Sequence, residues 1–150
     1  MSALGEIFRR LCVLCDLLLK FLANAAMYLP EFDRSQRLVK VTVAADVTVE
    51  EVRAALENLG SLLRDVEPGF RLLADLSALL SMPTTAAPYL GQIMEVCAGK
   101  GVALVVRLLP ADPSKDIGLA IISQFHYPPD IPIITCATMD EAMRVLDEKS

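Results

Sequence analysis

The side chains best placed to do chemistry gather in one stretch, Asp75-Leu76-Ser77 followed by Ser81-Met82-Pro83-Thr84-Thr85. A carboxylate and several hydroxyls at the end of an apolar run, just ahead of a helix, occupy the place where α/β proteins hold ligands, because helix N-termini converge there. Asp75, Ser77, Ser81, Thr84 and Thr85 are therefore the candidate partner-binding or ligand edge. His126, the only histidine, stands beside Tyr127 and ahead of Asp130 in a proline-rich stretch. Acid–base catalysis needs a cleft and an oriented partner, and this stretch signals neither. Cys12 and Cys15 form a C-x-x-C, but no second Cys or His pair stands at zinc-ligand spacing, so they read as small hydrophobes on a helix. A glycine-rich phosphate loop, a G-x-S-x-G elbow and paired carboxylates beside a base are all missing from the sequence. The expectation is a protein that is not an enzyme, with no metal site and no cofactor. Tyr89 and Met94 are the candidates for lining a flexible apolar pocket.

The elements that must carry these residues follow from periodicity. Leu38 to Val43 is rich in β-branched residues and alternates as a strand does. Thr48 and Glu51 have the spacing of a capping box, and Val52, Leu56, Leu59, Leu62 and Leu63 then trace one buried helical stripe, with Pro68 and Gly69 as the stop. Phe70 to Leu76 is nearly continuously apolar, which suits a central strand buried on both faces. The next helix runs to about Lys100, with Gly101 as its stop. Pro88 fits only within a first helical turn, which puts the cap near Thr84 or Thr85. Val102 to Leu109 reads as a strand and Asp112-Pro113 as a cap and first helical position, with a helix over about 114–125. Ile131 to Cys136 reads as a short buried strand, and Thr138 with Glu141 repeats the capping box before a last helix. Strands alternating with helices imply crossover connections and a mostly parallel or mixed sheet of about four to five strands. The direction of the first strand is not legible.

A length of 150 residues suits a single domain, with residues 1–37 as an N-terminal helix and polar connector and 38–150 as the domain proper. The hydrophobic fraction of 54% exceeds what one small domain ordinarily buries, which points to a self-association surface or an apolar ligand. Much of the excess lies in Ile7 to Leu29, where Arg9, Asp16 and Lys20 fall on one narrow face of an otherwise apolar helix. Those charges argue against an integral membrane span and for burial against protein, with homodimerisation through this helix as the expectation and a membrane-surface helix as the alternative. With a net charge of −5 and no stripe of Lys and Arg, nucleic acid is not an expected partner. Four scattered cysteines among apolar neighbours suit a reducing, cytoplasmic compartment.

The run from Asp75 to Ala86 resembles the signature of the STAS domains, the family of the anti-sigma-factor antagonists. There a hydrophobic strand ends in Asp-Leu-Ser, and Phe-Met-Asp-Ser-Ser-Gly-Leu then opens a helix. The resemblance covers roughly residues 38–148, and the departures fit the divergent STAS/SEC14-like branch better than the sporulation antagonists. Pro83 stands at the family's Asp, Thr85 at its second Ser and Ala86 at its Gly. The resemblance implies a bacterial, non-enzymatic signalling module that binds a protein partner, such as a kinase or an anti-sigma-like regulator. Thr84 falls at the position phosphorylated in the family, where added negative charge meets a helix dipole and repels an acidic partner. The plain alternative for Thr84 and Thr85 is that they cap the helix. A carrier or sensor of a lipid or other apolar small molecule is the alternative function.

Overall fold

In the computed structural model, residues 5–7, 9–10 and 30–148 are described. From residue 30 onward the strands and α-helices follow one another in the order β1 (Glu31–Asp33), β2 (Leu38–Asp46), α1 (Val49–Leu63), β3 (Arg71–Ser81), α2 (Ala87–Lys100), β4 (Leu104–Leu108), α3 (Ile117–His126), β5 (Ile133–Cys136) and α4 (Met139–Glu148). The strands lie in the sheet in the order of the chain, β1-β2-β3-β4-β5. β1 is antiparallel to β2, and the remaining pairs are parallel. Because every parallel crossover steps one strand in the same direction, a single handedness puts α1, α2 and α3 on one face of the sheet. There α1 packs on α2 and α2 on α3, while α4 packs on β4 and β5.

The two-residue period of the strands divides the core accordingly. Val39, Val41, Val43, Leu72 and Val105 join Val52, Leu59, Ile93 and Leu119 beneath the three helices. Leu38, Leu73, Leu104 and Val106 point the other way, to Ala142 and Leu146 of α4. Arg71 is buried at the start of β3, where it donates to the backbone carbonyls of Leu146 and Gln36 and so ties the end of α4 to the sheet.

The cap residues Thr48, Asp112 and Thr138 serve as expected. The Thr48 hydroxyl accepts from the Glu51 amide at 3.3 Å, and the Glu51 carboxylate accepts from the Thr48 amide at 3.1 Å. Asp112 accepts from the Ser114 amide at 3.0 Å. Thr138 accepts from the Glu141 amide at 3.2 Å, although the Glu141 carboxylate reaches Ala137 instead of Thr138. Gly101 takes a φ of 94° at the end of α2, where a side chain would be strained.

Other expectations need correction. Glu31–Asp33, polar enough to read as connector, is an edge strand, since an edge needs only backbone pairing and one inward residue, Phe32. β3 runs on to Ser81, well past Leu76. α1 ends at Leu63, ahead of the Pro68-Gly69 stop, and a turn fills the gap. The third crossover begins as a 3₁₀ turn, Pro113–Asp116, before α3. Strands β4 and β5 are shorter than their apolar runs, and β5 is only partly buried because it forms the open edge. The expected N-terminal dimer helix and the Cys12/Cys15 pair fall mostly or wholly outside the described residues. Among the described residues no helix is long and apolar enough to cross a membrane.

Candidate functional site

The Asp75-Leu76-Ser77 run lies inside β3, not at its end. Asp75 pairs with Thr42 and Ala78 with Ala44, so Leu76 and Ser77 together face Val43 in a bulge. A bulge takes an amide out of the ladder, and here the Asp75 carboxylate replaces the lost partner. It accepts from the Ser77 amide at 3.0 Å and from the Ser77 hydroxyl at 2.6 Å. Asp75 is thus occupied in shaping the strand. A second register shift follows between Ala45 and Asp46, with Ala45 at a φ of 62°. The strand ends are then sewn together, Ser81 Oγ donating to Asp46 at 2.5 Å and the Val47 amide to the Ser81 carbonyl at 2.9 Å.

After Met82, the chain turns into α2 through a 3₁₀ turn, Thr84–Ala86. The expected threonine cap is absent. Pro83 is the residue at the cap position, extended at φ −69° and ψ 146°, and its carbonyl accepts from the Ala86 amide at 3.0 Å. The residue preceding α2 is Ala86, which also has no side-chain cap. The tight turn and the Pro88 ring, which has no N–H, reduce the amides a hydroxyl would serve. Thr84 and Thr85 are consequently exposed, with hydroxyls that are not used as caps.

Thr84 and Ser81 line an open, largely apolar cleft of about 410 Å³ between the end of β3 and α3. Leu79, Met82, Leu90, Leu119 and Ile122 line it too, and Lys115 supplies the cation. The structure therefore brings together Ser81 and Thr84 of the predicted edge, but not Asp75, Ser77 or Thr85. Lys115 and α3 could not be found by reading the signature, because their proximity is a product of strand order.

Tyr89 and Met94, the candidates for lining an apolar pocket, point in different directions from α2. Five residues of helix separate their directions by about 140°. Met94 lines a separate apolar cavity of about 70 Å³ under α2 and α3, while Tyr89 lies beneath the Arg53 guanidinium, 5.7 Å from its ring centre, and so joins α2 to α1. His126 meets Glu95, not Asp130: Nδ1 lies 2.8 Å from Oε1, and the ring packs so closely on Gly91 that a Cβ there would sit 2.6 Å from it. Between β4 and the turn that leads into α3, Arg107 donates to Asp116, both largely withdrawn from solvent. Burial pushes the Cys97 thiol up to about 12 and raises Cys136 as well, so neither is a reactive thiolate at neutral pH. Among the described residues no three His, Cys, Asp or Glu gather to hold a metal ion.

This architecture is the SpoIIAA-like fold, that of the STAS domains and anti-sigma-factor antagonists. It is shared with the crystal structure of an uncharacterized DUF3478 family protein from Shewanella loihica, at a TM-score of 0.59 and 17% identity over 81% of this chain and 94% of that one. No family model matches the sequence, and no curated protein matches it.

Proposed function

We propose that the chain is a non-enzymatic, cytoplasmic signalling module of bacterial type that binds a protein partner at the cleft beside Thr84 and is switched by phosphorylation of that residue. The observation that carries this reading is an exposed hydroxyl in the wall of an apolar cleft that also holds one cation, Lys115. Apolar walls supply contact area, and a phosphate placed beside them adds nearly two negative charges and three acceptors where a partner would have to desolvate them. Lys115 offers that phosphate a counter-charge within the protein, which gives the modified cleft a distinct, self-satisfied state.

Phosphopeptide mapping of the protein from its native host tests the switch. A phosphate on Thr84, and loss of co-purifying partner in Thr84→Glu but not Thr84→Ser, is the expected result. No modification between Ser77 and Thr85 in any growth condition, together with partner recovery indifferent to Thr84→Glu, would refute it.

Carriage of a lipid or other apolar small molecule is the second reading, favoured by the cleft volume, which lies within the usual range for small-molecule sites. The interior cavity at Met94 is too small for an acyl chain, at about 70 Å³. Native mass spectrometry of the purified protein separates the two readings: a retained apolar ligand supports carriage, and a bare chain removes it.

A further inference from the structure

The solvent face of α3 is unlike that of α1, α2 or α4. Ile117, Ile121 and Phe125 are 63%, 51% and 81% exposed. At i, i+4 and i+8 they fall within about 80° of arc, opposite the buried Leu119 and Ser123. From Ile117 through Pro129 no Asp, Glu, Lys or Arg occurs, in a chain that is 22% charged. By contrast α1 shows Glu50, Arg53 and Glu57 to solvent, and α4 shows Asp140, Glu141 and Arg144. An apolar stripe with no solvating charge beside it is the pattern of a surface that is covered.

We infer that the cover is a second copy of the chain, with two α3 helices packed antiparallel about a two-fold axis near Ile121. Charge placement selects this occupant. Lys115 precedes Ile121 by roughly 9 Å of axis, and the helix ends at His126, roughly 8 Å beyond it and four residues ahead of the exposed Asp130. In the antiparallel pair, Lys115 of each copy comes to the end of α3 that carries the other's Asp130, while Ile117 meets Phe125 and Ile121 meets itself. The uncharged stripe is thus closed at both ends by opposite charges, and the helix dipoles oppose favourably. One helix face offers less than the ~800 Å² per partner of a standard interface, so the dimer is reversible and concentration-dependent. Ile121 belongs to both stripe and cleft, so self-association competes with whatever the cleft binds. The pairing itself stands without the phosphorylation reading, since no step of it uses Thr84.

Sedimentation equilibrium of the full chain across a concentration series tests this. The wild type is expected to reach a dimer, and Phe125→Glu to weaken it at least roughly tenfold, as loss of an aromatic anchor does. Thermal unfolding checks that the exposed substitution leaves the fold intact, and Ile117→Gln with Phe125→Gln serves in its place if it does not. Lys115→Glu should weaken the dimer, and adding Asp130→Lys should restore it. A wild type that stays monomeric at every concentration overturns the proposal. So does a dimer indifferent to both Phe125→Glu and the Ile117→Gln, Phe125→Gln pair, or a double charge reversal no better than the single one.

Discussion

Where Leu76 and Ser77 together oppose Val43, the backbone would present an amide without a ladder partner, and the Asp75 carboxylate takes that place. Asp75→Ala should therefore lower stability by about 1–2 kcal/mol, and Asp75→Asn by less, because an amide oxygen still accepts. Chemical denaturation distinguishes the two, and equal losses would show that the charge matters rather than the acceptor. At the second register shift, Ala45 bears the opposite kind of burden. Its φ of 62° costs a side-chain-bearing residue roughly 1–2 kcal/mol, partly offset by the greater unfolded freedom of glycine. Ala45→Gly is accordingly expected to raise the melting temperature by a few degrees, as a gain of up to about 1 kcal/mol would. A lower melting temperature would mean that the Ala45 methyl contributes more by packing than its backbone loses.

Between elements, the joints are polar and specific. Gly91→Ala would drive a methyl into the His126 ring, part the Glu95 contact and cost about 1–3 kcal/mol, whereas Gly118→Ala, which meets nothing within 4 Å, should stabilise α3 slightly. The buried Arg107–Asp116 pair should behave asymmetrically. Asp116→Ala leaves an unpaired guanidinium and costs about 3–5 kcal/mol, while Arg107→Met with Asp116→Leu recovers most of that loss. Equal melting temperatures for the single and double variants would count against the pairing. These joints mark where the sequence stops being informative. Strand and helix order, the Thr48–Glu51 box and the central place of β3 were legible because periodicity and caps are local. The edge strand Glu31–Asp33, the union of Thr84 with Lys115, and the partners of His126 and Arg107 were not, because each depends on which strand lies next to which. Asp75 misled for a related reason: a carboxylate in an apolar run looks like a ligand until the register shows the amide it satisfies.

For the whole molecule, the buried acids set how stability responds to alkali. The folded Cys97 thiol titrates at about 12 against an ordinary 9.0, because burial penalises the thiolate. A raised folded value means that its stabilisation is complete below pH 9.0 and is lost as the pH climbs toward 12, since the unfolded thiol ionises first. Cys136 is shifted in the same direction, by burial and then by Glu141, and Tyr127, raised by burial above its usual 10.0, adds its own loss from there upward. At the acid end Asp33 and Asp112, lowered first by the hydroxyls of Ser35 and Ser114, act with the opposite sign below 3.8, but both are fully exposed and contribute little. The unfolding free energy should thus be flat near neutrality and fall above pH 9.0, at a limiting slope for Cys97 of about 1.4 kcal/mol per pH unit. Cys97→Ala should lower stability at neutral pH by leaving a small void, yet flatten the decline between pH 9.0 and 10.0, where Tyr127 has not begun to contribute. Urea titrations at closely spaced pH values read both effects, and parallel slopes for wild type and variant would show that the alkaline loss originates elsewhere than in that thiol.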